Sequence, residues 1–284
     1  MEYKKVRLDI DYAALGLDSK TEAPYLECFI PNRELLDEIK LTDRKNPAML
    51  VIPGGGYKST SLREHEPIAF QFLAAGFSVF ILRYSCAPAV FPTSLFEVYT
   101  AIATIRKNAE EWLVDTNKIS LCGFSAGGHL SASAGALWNK DFVLKAFNFT
   151  TEHKPNALVL SYPVITAGEF AHKASFVNLL GKEPNEQEIK YFSLENQVTA
   201  DFPPTFLWHT TNDDVVPVMN SILLSQALSI NNILFEMHIY PKGPHGLALS
   251  NEITDTYKQK YNVVKPQSWV KESIDFLLKE VYIN

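Results

Sequence analysis

The stretch KISLCGFSAGGHLSAS, residues 118–133, decides how the rest of this chain is interpreted. Lys118–Cys122 is typical of a short buried strand, and Ser125–Leu137 is typical of a closely packed helix of small residues. A G-x-S-x-G sequence centred on Ser125 joins them. On such a strand-to-helix turn a serine is exposed for attack, and the free N–H groups of the helix can stabilise an oxyanion. Ser125 is therefore predicted to be a nucleophile, with the Ala126 N–H as one oxyanion donor.

A second glycine-rich turn follows an earlier strand. The apolar run Ala48–Ile52 leads into IPGGGY, residues 52–57, and we expect this strand to lie beside the one before Ser125. Consecutive glycines let backbone N–H groups approach a substrate oxygen closely. The loop is predicted to supply the other half of an oxyanion hole, with Tyr57 beside it as a substrate contact. A plain glycine turn is the alternative; a phosphate-binding loop is disfavoured, because the chain lacks both P-loop spacing and G-x-G-x-x-G there.

A serine nucleophile needs a histidine base and a carboxylate that orients the base. Among the seven histidines, His245 lies in the turn-rich sequence YPKGPHG, residues 240–246, just after the last expected strand. The loop TNDDVVP, residues 211–217, follows another expected strand and offers two carboxylates, Asp213 and Asp214. These loops predict the base and the acid.

Two other histidines have different expected roles. His129 lies one helical turn beyond Ser125 and is expected to be a packed or capping residue, whereas His209 ends a strand and is expected to line the site from below. The order along the chain is nucleophile, acid, base, which differs from both major serine-protease arrangements.

Strand and helix patterns alternate along most of the chain. This alternation predicts an α/β fold with a mostly parallel, doubly wound sheet flanked by helices, in a single domain over residues 1–284. Val6–Ile10 and Tyr25–Ile30 are typical of two early strands and suggest an antiparallel start. Pro163–Phe202 does not fit the alternation, since about 40 residues is longer than an ordinary connection. It is interpreted either as a lid over the site or as a helical crossover.

Composition excludes several classes of function. The 284 residues contain 26 Lys+Arg and 32 Asp+Glu, a net charge of −6 that argues against a general nucleic-acid binder. Three sparse cysteines, Cys28, Cys86 and Cys122, are typical of buried thiols in a reducing compartment. The sequence has no apolar leader and no apolar run long enough to span a bilayer. We expect a cytoplasmic protein with no membrane partner, no metal and no cofactor.

From about Ala48 onward the chain resembles the α/β-hydrolase superfamily. Within it, the sequence is most similar to the bacterial acetyl esterase, acetylxylan esterase or "sugar hydrolase" group, which is related to hormone-sensitive-lipase-like esterases. The resemblance rests on six stretches: IPGGGY (52–57), LRYSCAPAVFP (82–92), CGFSAGGHLSAS (122–133), LSYPVIT (160–166), DDVVP (213–217) and GPHGLAL (243–249). It implies the α/β-hydrolase fold with a short lid-like insertion.

The resemblance also implies a set of site residues. These are the triad and the oxyanion donors, namely Ser125, Asp213, His245, Gly55, Gly56 and Ala126. Asp213 is preferred to Asp214 because the family places its acid at the start of a D-x-x-V-P sequence. Pro53 before the glycines and Phe124 before the nucleophile depart from the lipase-like pattern, and both departures point toward the carbohydrate esterases.

The implied function is a serine esterase that removes short acyl groups, acetyl foremost, from sugars or oligosaccharides through an acyl-enzyme. A general short-chain carboxylesterase is the alternative. A peptidase of the prolyl-oligopeptidase type is disfavoured because the chain before the glycine loop is too short for a propeller domain. A non-catalytic hydrolase-fold protein is disfavoured because all three triad residues are present. Tyr162, Phe170 and Phe176 are interpreted either as pocket or as core residues, and no oligomeric state is predicted.

Overall fold

The computed structural model describes residues 1–17, 23–38, 40–41, 43–148 and 150–283 of the chain. These residues form one eight-stranded sheet. In chain order its strands are β1 (Glu2–Arg7), β2 (Tyr25–Ile30), β3 (Asn46–Ile52), β4 (Ser78–Arg83), β5 (Val114–Phe124), β6 (Ala157–Ser161), β7 (Thr205–Thr210) and β8 (Phe235–Tyr240). Across the sheet the order is β1-β2-β4-β3-β5-β6-β7-β8.

Helices connect most of these strands. The α-helices are α1 (Arg33–Glu38), α2 (Glu66–Ala74), α3 (Thr93–Lys107), α4 (Ala126–Leu137), α5 (Asp141–Ala146), α6 (Lys173–Leu180), α7 (Glu186–Phe192), α8 (Met219–Ile230) and α9 (Trp269–Phe276). Short 3-10 turns occur at Leu62–Glu64, Leu194–Asn196 and Lys265–Ser268, and a π-turn at Leu277–Val281. Within the described part of the chain, none of these helices has the length and apolar character needed to cross a bilayer.

The strand pairing confirms the predicted sheet. β1 pairs with β2 and β2 with β4 in antiparallel fashion, whereas every neighbouring pair from β4 through β3 to β8 is parallel. The position of the first strand was predicted wrongly, since it covers Glu2–Arg7 and not Val6–Ile10. Its lysines lie on an exposed edge strand, where charged side chains are tolerated and the apolar pattern is therefore weak.

Apolar cores lie on both faces of the sheet. In β3, Leu50 and Ile52 belong to the core packed with α3, α4 and α8, whereas Met49 and Val51 belong to the core packed with α2 and α9. Successive side chains of a strand point to opposite faces, so a strand covered on both sides is apolar throughout. This is why the central strands are visible in the sequence as continuous apolar runs.

The predicted site loops meet at one edge of the sheet. The glycine loop follows β3, Ser125 follows β5, Asp213 follows β7 and His245 follows β8. Parallel strands end at the same edge, and loops at that edge form the binding crevice of open α/β sheets. Residues 163–202, which follow β6, contain α6, α7 and a 3-10 turn.

Candidate active site

Ser125 occupies a strained turn between β5 and α4. Its backbone has φ 52° and ψ −118°, in the left-handed half of conformational space. Such a conformation costs about 1–3 kcal/mol and persists only where surrounding contacts fix it. The Ser125 N–H donates to the Ser161 carbonyl at 3.0 Å, and the Ser125 carbonyl accepts from Val164 N–H at 3.0 Å. At Gly127 a Cβ would lie 2.2 Å from the Ile52 oxygen, so the close approach of α4 to β3 requires glycine there.

The structure brings the three predicted triad residues together. His245 Nε2 lies 2.8 Å from Ser125 Oγ, and His245 Nδ1 lies 2.7 Å from Asp213 Oδ2. Because a carboxylate only accepts, Nδ1 carries the proton and donates it. Nε2 is then free to accept a hydrogen bond from the Ser125 hydroxyl. This is the tautomer that a general base for serine requires.

Asp213 is almost fully buried, with 1% of its side chain exposed. Its Oδ1 accepts the N–H groups of Val215 and Val216 at 2.9 and 2.8 Å, and its Oδ2 faces His245 and, at 3.3 Å, His209 Nε2. Burial alone would raise the pKa of this carboxyl, but the hydrogen bonds from His209 and His245 hold that pKa well below its usual range. Asp213 is therefore ionised at neutral pH.

Asp214 is used differently from its neighbour. It is exposed, and its Oδ1 accepts the backbone N–H of His245 at 3.1 Å rather than a ring nitrogen. The Asp214 carboxylate therefore contacts the histidine loop, whereas the imidazole itself is oriented by Asp213. These contacts favour the acid that the D-x-x-V-P spacing implies.

His209 was expected to line the site from below, and this expectation is wrong. It is fully buried behind Asp213, with Nδ1 2.8 Å from Ser221 Oγ and Nε2 2.9 Å from the Val216 carbonyl. A carbonyl can only accept, so Nε2 carries the proton and faces the Asp213 carboxylate. From the core side, His209 thus stabilises the ionised carboxylate of Asp213.

The glycine loop lies directly against the nucleophile. A Cβ on Gly54 would lie 2.9 Å from Ser125 Cβ, so no larger residue fits there. The Gly54 N–H donates to Glu64, whereas the N–H groups of Gly55 and Gly56 make no hydrogen bond to described residues. Ala126 is the first residue of α4, where a helical N–H has no acceptor within its own helix. Three backbone donors close to Ser125 thus have no acceptor among the residues that the structure describes.

Glu64 is a functional candidate that sequence reasoning missed. It is buried, its Oε2 accepts from Gly54 N–H at 2.7 Å, and its Oε1 accepts from Tyr162 hydroxyl at 2.8 Å. The same hydroxyl accepts from Ala248 N–H at 2.9 Å. Burial raises the pKa of this carboxyl. Glu64 therefore links the glycine loop to the loop that carries His245, a connection that no local motif signals.

A cleft of about 450 Å³ opens above Ser125 and His245. Part of its wall comes from the predicted lid segment, through His172, Ala174 and Asn178 of α6 and the residue before it. Asn178 Nδ2 donates to the Gly56 carbonyl at 2.8 Å, which ties α6 to the glycine loop. Residues 163–202 therefore border the site, and whether they move as a lid stays a prediction.

The structure corrects the expectation for Tyr57. Its side chain is 2% exposed and points into the core, where its hydroxyl donates to His129 Nδ1 at 2.9 Å. Tyr57 has φ 58°, and it does not line the cleft. Tyr162 and Phe176 are buried, Phe170 is half-buried, and none of these three lines the cleft either. Tyr162 and Phe176 are therefore core residues, whereas Phe170 belongs neither to the cleft nor to either apolar core.

His129 is a packed residue, as expected, and it makes stability depend on pH. Burial lowers the pKa of His129 to about 4. Because the unfolded chain binds this proton from about pH 6.5 downward, the stabilisation is complete above that pH and is lost toward pH 4. We expect the free energy of unfolding to fall by about 2 kcal/mol from this residue between pH 7.5 and pH 5.

Urea unfolding at these two pH values measures that difference. In His129→Gln, which cannot take up a proton, the difference should shrink by about the same 2 kcal/mol. An unchanged difference in the variant would assign the acid sensitivity to other groups.

The chain is similar in sequence and in fold to known ester hydrolases. The model of the family described as BD-FAE matches residues 38–228. The chain is 38% identical over 228 residues to endo-1,4-beta-xylanase B of Butyrivibrio fibrisolvens, covering 79% of this chain and 36% of that protein. It is 31% identical over 205 residues to an acetylxylan esterase of Xylanibacter ruminicola, covering 70% of this chain and 40% of that protein. The chain thus spans less than half the length of these curated relatives.

A solved structure matches over nearly the whole chain. It is an acetyl ester-xyloside bifunctional hydrolase from Caldicellulosiruptor lactoaceticus, with a TM-score of 0.82 and 30% identity, covering 99% of this chain and 97% of that one. The sheet and its flanking helices are therefore those of the α/β-hydrolase esterases.

Proposed function

The chain belongs to the BD-FAE family, and from this membership we propose that it is a serine esterase removing short acyl groups, acetyl foremost, from sugars or oligosaccharides. The observation that supports this most strongly is the hydrogen-bonded series from Ser125 through His245 to Asp213, beside a glycine loop with unpaired N–H groups. The names of the relatives, an acetylxylan esterase and an acetyl ester-xyloside hydrolase, support the acyl group and the sugar.

In the proposed reaction, Ser125 Oγ attacks the ester carbonyl while His245 Nε2 takes the hydroxyl proton. The carbonyl oxygen becomes an oxyanion, which the N–H groups of Gly55, Gly56 and Ala126 stabilise. As the carbon–oxygen bond to the alcohol breaks, His245 gives its proton to the leaving oxygen. Water then attacks the acyl-enzyme with His245 again as base, which releases the acid and restores Ser125. Asp213 stays ionised throughout and stabilises the imidazolium.

The walls of the cleft support a short acyl group. Its lining includes the polar side chains of His172 and Asn178, from α6 and the residue before it, and of Lys58. Burying a long alkyl chain against them would take the Lys58 ammonium, and the polar atoms of His172 and Asn178 that still face the cleft, out of water. A true lipase groove would instead gain about 0.8 kcal/mol for each methylene that it buries.

The ratio kcat/KM is therefore expected to fall from acetyl through butyryl to octanoyl esters. Nitrophenyl esters of these three acids, together with acetylated xylo-oligosaccharides, make the measurement. A maximum at eight carbons would contradict the short-chain assignment. Hydrolysis of nitrophenyl acetate without any release of acetate from the oligosaccharides would favour a general short-chain carboxylesterase instead.

A further inference from the structure

Arg63 lines the cleft, and part of its guanidinium group has no hydrogen-bond partner among the described residues. Its Nε donates to the Thr254 carbonyl at 2.5 Å, and its Cζ lies 3.9 Å from the centre of the Tyr261 ring. Nη2 is buried and has no hydrogen-bond partner among the described residues. A buried polar N–H without a partner is costly and needs an explanation. Because Nη2 is closed off from solvent, a ligand in the cleft would meet Nη1, which also has no hydrogen-bond partner among the described residues.

A second cation lies on the same aromatic ring. Lys260 Nζ is 4.6 Å from the Tyr261 ring centre, and Lys260 and Tyr261 both line the cleft. Two positive charges that share one ring repel each other, and an anion between them would remove this repulsion. The chain as a whole carries a net charge of −6, so a local excess of positive charge runs against its overall balance.

The carboxylates nearby are already engaged. Glu64 accepts hydrogen bonds from Gly54 and Tyr162, and Asp214, which attracts Lys260 from the rim, accepts the His245 N–H. Arg63 forms no ion pair with any residue in the described ranges. The guanidinium is permanently charged, and its hydrogen bonds to a carboxylate are of the strong, charge-assisted kind.

The position of Arg63 indicates which part of a substrate it would meet. Its Nη1 lies 3.9 Å from where a Cβ on Gly246 would be, and Gly246 directly follows His245. In the proposed reaction His245 returns its proton to the leaving alcohol. A group beside the histidine loop is therefore on the alcohol side of the scissile bond.

We propose that Arg63, Lys260 and Tyr261 form a binding site for a carboxylate on the alcohol part of the substrate. The preferred substrates are then short-chain esters of acidic alcohols, such as uronic acids or oligosaccharides that bear them. This specificity rests on the esterase function proposed above, but binding of the carboxylate itself does not depend on turnover.

Binding is tested with 3-hydroxybenzoate and 3-hydroxybenzamide, two phenols that stand in for the alcohol part of a substrate and differ in the charge of one group. Calorimetry on the full chain should show that the benzoate binds about tenfold or more tightly than the benzamide. Arg63→Met and Lys260→Met should each reduce this preference several-fold, and added salt should reduce it as well. Lys260 is exposed, so its variant tests the site even if Arg63→Met fails to fold.

The matched control is Lys154→Met. Lys154 Nζ lies 4.3 Å from the Trp138 ring centre, a similar contact with the same charge, and neither residue lines the cleft. This variant should keep the full preference for the benzoate. Equal affinity of the two phenols for the unaltered protein, or an equal loss of preference in Lys154→Met and Lys260→Met, would overturn the carboxylate site.

Hydrolysis of the corresponding acetates distinguishes failure of the carboxylate site from failure of the esterase function on which it rests. The unaltered protein should show a higher kcat/KM for 3-acetoxybenzoate than for 3-acetoxybenzamide. Failure to hydrolyse either ester, with the binding preference intact, would overturn the esterase proposal and leave the carboxylate site standing. Turnover of both esters without any binding preference would overturn the carboxylate site and leave the esterase proposal standing.

Discussion

Replacing Ser125 with alanine is expected to lower kcat for nitrophenyl acetate by about 10⁴-fold or more, because triad members act as one unit. The fold should be retained. The strained backbone at residue 125 is fixed by main-chain hydrogen bonds to Ser161 and Val164, and alanine keeps both of them. Initial rates together with the thermal unfolding midpoint make the measurement.

Ser131→Ala is the matched control for that substitution. Ser131 is buried in the same helix, and its hydroxyl donates to the Gly127 carbonyl, away from the cleft. Its removal should change kcat by less than about tenfold, since it does not touch the reacting atoms. If Ser125→Ala kept activity within tenfold of the unaltered protein, the serine esterase assignment would be wrong.

The fold was predictable because its signals are local. Central strands such as β3 are buried on both faces and appear as continuous apolar runs, and their alternation with helices implies a parallel sheet. The error came at β1, an edge strand whose Lys4 and Lys5 obscure the apolar pattern. The short helices α5, α6 and α7 were not placed, since six to eight residues give too little periodicity to recognise.

The site was predictable where one contiguous motif defines a turn. Ser125 and His245 each lie in such a turn, and the structure places their side chains in hydrogen-bond contact. Their catalytic roles stay predictions. Tyr57 shows the limit of reasoning from chain position, because a residue that follows the glycine loop can still turn its side chain into the core toward His129.

Residues that act through distant partners gave no local signal. His209 and Asp213 are four positions apart, but their contact depends on how the chain turns after β7. Arg63 contacts Thr254, which lies 191 residues further along the chain, and also the ring of Tyr261. Such sites arise from loops that meet at one edge of the sheet, and a sequence does not state which loops meet.

The two neighbouring aspartates provide the sharpest test of the proposed mechanism. Asp213→Asn is expected to lower kcat by about 10⁴-fold, as loss of the orienting carboxylate does in a serine triad. An asparagine amide facing His245 would donate to Nδ1 and leave the ring proton on Nε2. That nitrogen could then no longer accept the proton of Ser125. The thermal unfolding midpoint should be measured beside kcat, because Asp213 also accepts from two backbone N–H groups.

Asp214→Asn is the matched control, and it should change kcat by less than about tenfold. An asparagine Oδ1 at position 214 can still accept the His245 N–H that Asp214 accepts at 3.1 Å, so the histidine loop keeps its place. The opposite result, a large loss at position 214 and a small one at position 213, would move the acid by one residue and leave Ser125 and His245 as proposed. If neither substitution mattered, the imidazole would have to be oriented by another group. The low pKa of Asp213, which the hydrogen bonds from His209 and His245 cause, would then reflect a role in the fold and not in catalysis.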